Sequence, residues 1–406
     1  MRYRNLKYLY FTSVFLLMCS FYHLSFTWDI HRAVWSGIAS LFSLIYMSNY
    51  KHLFLSNKSK RIICVLLFLW YTYTTLLSTN EIGALILNIT TFIPICSIIY
   101  SSIALKKEML RFMGVATSFI LTISLVGWFL YLIGMNLPHT DNYNFEDNFH
   151  SYINYYVFLV ANREIEILPR FTGMFLEPGQ MASVCVLLAL SYKIGNIPRW
   201  SMIIIIISLV LSFSLAGWIV MLLGLLGNTI VSSTRKMLIL TTLFVFSVGL
   251  YFYNQKEQNS VINTYIFDRL VLDEEKGIVG NNRTHEDFDI HYSSYINSSD
   301  AMFGIARDLS KGTNWTIGNA GYKVFIVYYG IVGFVLIFIL LYVYYRMYRE
   351  VHGLVYVLIY FTLGCIRSFF ITPYWFVLLM LSLPLFVHNY RNEYSYKSNK
   401  ADCRMV

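Results

Sequence analysis

RFTGMFLEPGQMASVCVLLAL, residues 170–190, decides how this chain is read. Arg170 and Glu177 stand seven positions apart across an apolar run, a Pro-Gly pair follows, and an uncharged hydrophobic segment begins. Proline in the first turn of a helix sacrifices no hydrogen bond, because an N–H there has no intrahelical acceptor. A helix therefore starts at Pro178. Glu177 falls at its N-cap and faces the positive end of the helix dipole. The apolar stretch, read as 173–194, has the length that crosses a bilayer as a helix.

Segments of this kind recur along the chain. Its 406 residues are 57% hydrophobic and only 13% charged, against about 25% charged in a soluble domain. That excludes an ordinary soluble fold and predicts an all-α polytopic membrane protein of about twelve transmembrane helices. The spans read as 8–26, 33–50, 62–79, 82–104, 112–135, 173–194, 200–213, 215–232, 236–253, 322–345, 352–371 and 373–389. Residues 200–232 are either two spans or one helix broken near LSFSLAGW. The chain divides into N-terminal helices (1–135, about five spans), a first long loop (136–172), central helices (173–253), a second long loop (254–321), C-terminal helices (322–390) and a basic tail (391–406).

Charge sets the orientation. With the N-terminus inside, the inner segments carry Arg2, Arg4 and Lys7; Lys51, Lys58, Lys60 and Arg61; Lys106, Lys107 and Arg111; and basic residues at every later inner turn. Of the 22 acidic residues they carry only Glu108, Glu350, Glu393 and Asp402. Lys and Arg favour the cytoplasmic side, so both termini read as cytoplasmic and the two long loops cap the outer face. The net charge of +9 expresses this sidedness and gives no reason to expect nucleic acid. The basic start MRYRNLK is followed by an apolar stretch without a small-residue cleavage site, which reads as the first span. Five of the six cysteines fall in spans and Cys403 in the tail, which predicts neither structural disulfides nor a cysteine metal site.

Long loops in compact proteins usually carry function, and charged groups near hydrocarbon do so more often still. Arg170 with Glu177 reads as a cation held at the membrane surface, suited to a lipid-linked phosphate. A capping carboxylate beside a snorkelling arginine would account for the same two residues. The second loop contains GNNRTHEDFDIHYSSYINSSDAMFGIARDLSKGTNW, residues 280–315. There Arg283 and Arg307 suit phosphate oxygens, and His285, His291 or a carboxylate could accept a proton from a sugar hydroxyl. The two histidines are six apart, which is not one helical face and no metal spacing. Arg163 in the first loop is a further substrate-binding candidate. In NAGYKVFIVYYGIVGF, residues 319–334, Asn319 could orient a sugar or cap the helix, and Gly330 and Gly333 read as helix-packing positions. Arg367, near the outer end of the eleventh span, must pair, snorkel or line a wet cavity.

The block RFTGMFLEPG, the arginine-bearing outer loop and the closing GNAGYKVFIVYYGIVGF together resemble the bacterial O-antigen polymerases (Wzy-type) and the related O-antigen ligases, over roughly residues 110–340. The loop before the final spans often carries a histidine beside an asparagine in that family; here Gly318 precedes Asn319. The resemblance implies a glycosyltransferase of the bacterial inner membrane, using neither metal nor cofactor. It implies an undecaprenyl-pyrophosphate-linked oligosaccharide as substrate, membrane lipid as its setting and a chain-length regulator as protein partner. Arg170, Glu177, Arg283, His285 and His291 would carry the chemistry, and Arg163, Arg307, Asn319 and Arg367 would bind substrate. A ligase that passes finished glycan to lipid A core shares these features. A flippase would need cations deep in several spans, where this chain has almost none. An O-acyltransferase would need a histidine within a span, and His23 stands alone there.

Overall fold

The computed structural model describes residues 2–20, 30–55, 57–144, 151–161, 169–232, 272–273, 277–278, 286–305 and 321–402. It is mostly helical. The first five helices are α1 (Arg2–Cys19), α2 (Arg32–Asn49), α3 (Lys58–Leu76), α4 (Glu81–Tyr100) and α5 (Ile103–Leu132). The central three are α6 (Pro178–Ser191), α7 (Arg199–Leu211) and α8 (Leu215–Ser232). The second loop contributes α9 (Glu286–Ile296) and α10 (Asp300–Phe303). The C-terminal helices are α11 (Gly321–Met347), α12 (Val351–Arg367) and α13 (Pro373–Asp402). Short polar caps start several of them. Asn57 accepts from the Lys60 N–H at 2.8 Å, Asn80 from the Gly83 N–H at 3.0 Å and Glu350 from the Gly353 N–H at 2.7 Å.

The expected helices are present wherever the structure describes the chain, and the expected ninth span, 236–253, lies outside the described residues. Helices α4, α5 and α11 are long and apolar enough to cross a membrane, while α6, α7, α8, α12 and the apolar part of α13 are shorter. At 1.5 Å per residue α6 and α7 reach about 21 and 20 Å, less than the ~30 Å hydrocarbon core. Residues 200–232 form two helical pieces around a turn. Phe213, with φ 44°, ends α7 and turns the chain into α8, and both helices pack on α6.

Burial separates two kinds of helix. α5 turns Phe119, Ile123, Val126 and Phe129 outward, a fully apolar exposed stripe. Such a stripe is costly in water and well solvated by lipid. By contrast Met181–Leu188 of α6 and Tyr374–Leu383 of α13 are buried on every side, the mark of a helix inside a bundle. These two share the centre. The Trp375 indole N–H donates to Ser183 Oγ at 2.7 Å, and Ser191 and Ser382 share a hydroxyl bond at 2.8 Å. Thr117 of α5 bonds the Tyr374 hydroxyl at 2.6 Å.

Backbone groups released inside the bundle find side-chain partners. Pro94 and Pro384 each leave the carbonyl four residues earlier without its helical N–H. Ser40 donates to the Thr90 carbonyl, and Tyr344 donates to the Met380 carbonyl at 2.8 Å. At the end of α4, Lys60 donates to the Tyr100 carbonyl at 3.1 Å, and Lys106 donates to Ile98 and Ile99. Both lysines, counted by charge among the inner segments, are buried, Lys106 completely, where they cap carbonyls that no further turn of helix can reach.

The outer loops contain structure beyond helices. The first forms an antiparallel sheet of β1 (Thr140–Asn144), β2 (Ser151–Asn154) and β3 (Leu159–Ala161) in that order, with Tyr152 opposite Ala161. The second contributes a two-stranded ladder, β4 (Leu272–Asp273) with β5 (Gly277–Ile278), and docks α10 against α11. Gly330 is not simply a packing position. Its φ of 64° and ψ of 178° break α11, and the segment 302–304 enters the break. The freed carbonyls are satisfied there: Ile305 N–H donates to Val327 at 2.9 Å, and the Tyr73 hydroxyl reaches Tyr329 at 2.8 Å and Phe303 at 2.6 Å.

A side chain at Gly330 would meet backbone atoms of Phe303 and Gly304 at 2.5–2.6 Å, in a conformation that only glycine adopts readily. Gly330→Ala is therefore expected to destabilise the purified protein by about 1–3 kcal/mol, read as a lower thermal-unfolding midpoint in detergent. Gly37→Ala, with open space around it, serves as the control. Equal midpoints for the two variants would refute the break as a constrained joint.

Candidate functional site

The quoted segment lies where the first-loop sheet, α6 and α7 meet. Residues 171–176 are buried yet not helical. Non-helical backbone at membrane depth persists only where protein buries it or a cavity is lined by it, so each polar group needs an internal partner. Phe171 N–H donates to the Leu211 carbonyl at the end of α7 at 3.2 Å, and Leu159 N–H of β3 donates to Gly173 at 3.2 Å. The Thr172 hydroxyl returns a bond to Leu159 at 2.8 Å. This stitching fixes where Arg170 and Glu177 stand.

Glu177 occupies the N-cap of α6, with φ −133° and ψ 144°, but its side chain makes no capping bond. The carboxylate turns away from the helix and forms an ion pair with Arg367. Capping, the structural role open to this glutamate, is not the role it has. Arg367 is the last residue of α12. Ser368 follows in the left-handed region at φ 56°, and its N–H returns to Gly364 at 2.7 Å, which stops the helix there. The expected span to residue 371 thus ends four residues early and presents the guanidinium from a helix terminus. Arg367 is 18% exposed in its side chain and Glu177 40%.

Arg170 stands close enough to Arg367 for their charges to repel, with the buried Tyr152 of β2 beside them. The Glu177 carboxylate thus pairs with one guanidinium, Arg367, while a second, Arg170, stands near that pair. Backbone encloses it closely. A Cβ at Gly179 would sit 2.7 Å from Arg367 Cζ, so the guanidinium lies against the first turn of α6. A Cβ at Gly321 would sit 2.5 Å from Ile366 C and Ser368 N, so the start of α11 abuts the turn that carries Arg367. Arginines held in this way offer paired N–H groups to phosphate or carboxylate oxygens. The half-exposed carboxylate can orient them or accept a proton.

Of the residues singled out from sequence, the structure brings Arg367 to the segment that carries Arg170 and Glu177, from nearly two hundred residues further along the chain. His291 is exposed on α9, which packs through Phe288 and Tyr295 instead. Arg163, Arg283, His285, Arg307 and Asn319 lie outside the described residues. Sequence reasoning missed Gly179, Gly321 and Tyr152. Gly179 had a signal, since glycine is a poor helix former in the first turn of an otherwise apolar helix. Tyr152, one of 33 tyrosines, had none.

Loss of Glu177 would remove the carboxylate that pairs with Arg367 and leave the repulsion from nearby Arg170 in place. Glu177→Gln is expected to destabilise the protein by on the order of 1 kcal/mol, as befits a half-exposed pair, and adding Arg170→Gln should recover part of that loss. Thermal unfolding of the single and double variants measures the coupling, and strictly additive effects would show that no shared charge cluster exists. Comparison of the chain with protein-family models, with curated proteins and with solved structures gives no match.

Proposed function

We propose that this protein is a surface-polysaccharide polymerase of the bacterial inner membrane. It joins undecaprenyl-pyrophosphate-linked oligosaccharide repeat units by glycosyl transfer at the outer face. One observation carries the reading: Glu177 forgoes its own helix cap to hold Arg367, beside Arg170, in a charged group enclosed by two helix starts. The resemblance of RFTGMFLEPG to the O-antigen polymerases adds the reaction class. Twelve spans with both termini in the cytoplasm complete the proposed topology.

On this reading the isoprenoid tail stays in lipid while its sugars reach water under the two loops. The C1–O bond to the pyrophosphate breaks as a hydroxyl of a second lipid-linked unit bonds to the anomeric carbon. The hydroxyl proton passes to a base, and the lipid pyrophosphate leaves with its electron pair. Negative charge grows on the leaving oxygens while the sugar becomes oxocarbenium-like. Arg170 and Arg367 stabilise that charge; a lost interaction of this kind costs about 2.7–4 kcal/mol, or 10²–10³ in rate. Arg283 and Arg307 would add to the same site, and the binding of both lipid-linked chains supplies proximity.

Arg170→Ala and Arg283→Ala are each expected to abolish long-chain polysaccharide with protein level unchanged, as read on a glycan gel beside an immunoblot. A full-length ladder from either variant would remove that arginine from the reaction. Deletion of the gene should leave a single repeat unit on the lipid core. Free lipid-linked polymer with bare core would instead indicate a ligase, and repeat units trapped on the inner leaflet a flippase.

A further inference from the structure

A second basic site lies at the far end of α11. This helix starts at Gly321, against the Arg367 turn, and runs through the break at Gly330 to Met347. Beyond its end is a cleft of ~410 Å³ lined by Arg346, Met347 and Arg349, by Pro384, Val387 and His388 of α13, and by Ile103 at the start of α5.

Three features define what would fill it. Its lining is divided, with Ile103, Met347, Pro384 and Val387 apolar and two arginines at the margin. Both arginines are exposed, and among the described residues neither has a carboxylate partner. The nearest acid in sequence, Glu350, is engaged in capping α12 through Gly353. The wall at Pro384 is also fixed. The carbonyl that this proline frees is held by Tyr344, so α13 keeps its course past the cleft.

From this geometry we infer that the cleft binds one anionic glycerophospholipid, its phosphate on Arg346 and Arg349 and its acyl chains along Ile103, Met347 and Val387. Basic pockets between helices at the cytoplasmic boundary recognise lipid phosphates in this way, and arginine grips phosphate oxygens bidentately while its stem lies along apolar surface. The cytoplasmic placement rests on the proposed orientation. The binding itself does not, and it is independent of the glycosyl-transfer reading.

The test uses the purified full-length chain in detergent. It is titrated with phosphatidylglycerol and with phosphatidylcholine of equal acyl length and followed by native mass spectrometry. The expected result is one retained phosphatidylglycerol, bound at least tenfold more tightly than phosphatidylcholine. Arg346→Gln with Arg349→Gln should abolish the preference. Lys58→Gln with Arg61→Gln, an exposed basic pair elsewhere on the same proposed face, should preserve it. Val387→Trp, which fills the cleft without changing charge, should lower retention of the lipid while the unfolding midpoint stays within a few degrees of wild type. Equal retention of the two lipids, equal loss from the two charge-pair variants, or displacement by inorganic phosphate at lipid-equivalent concentration would overturn the assignment.

Discussion

Every peptide group inside a bilayer must find a partner within the protein, because water is not there to supply one. This requirement governs the described fold wherever the chain departs from a regular helix. Proline in α4 and α13 frees a carbonyl, and a serine or tyrosine from a neighbouring helix meets it. The break at Gly330 frees several, and a segment of the second loop, with Tyr73, takes their place. Two lysines leave the surface to finish the end of α4. Irregular backbone is therefore confined to places where another element has a donor or acceptor to offer.

The candidate site is the largest case of the same rule. Residues 171–176 cross buried space without being a helix, and they can do so because β3 and α7 supply their hydrogen bonds. The segment then delivers a carboxylate to the first turn of α6, where the ordinary outcome would be a cap. The carboxylate joins Arg367 instead, from a helix that the left-handed turn at Ser368 has cut short. A charge kept from its local partner and spent on a distant one costs local stability, and such costs concentrate at working sites. The carboxylate offsets part of the repulsion between Arg170 and Arg367.

Much of this was legible in the sequence, for identifiable reasons. Long apolar runs located the described helices but not all of their ends: α1 and α5 begin in charged sequence six and nine residues before the expected starts, and α13 continues to Asp402 through the polar tail. Glu177, Pro178 and Gly179 marked the start of α6 correctly, since cap and first-turn chemistry is local. Arg367 declared itself by being an arginine in hydrocarbon. The partner choice of Glu177 was not legible, because it depends on α12 ending at residue 367 rather than 371, and that stop uses a serine where a glycine would have signalled it. Nor was the burial of Lys106 legible: a lysine near an inner turn reads as a surface charge unless one knows which carbonyls lie within reach. Gly330 looked like a packing residue since small residues serve helix contact and helix breakage alike. The sheet of the first loop is built from three- to five-residue strands, too short for alternation to be seen.

The central place of α13 has a consequence for biogenesis. A ribosome delivers helices in order, and early ones pack before late ones exist. Yet Tyr374–Leu383 fill the middle of a bundle whose other members, α1, α4, α5, α6 and α12, all precede them in the chain. Ser183, Ser191 and Thr117 therefore take their inter-helix partners from a segment synthesised long after them, so these bonds can form only once α13 is in the membrane.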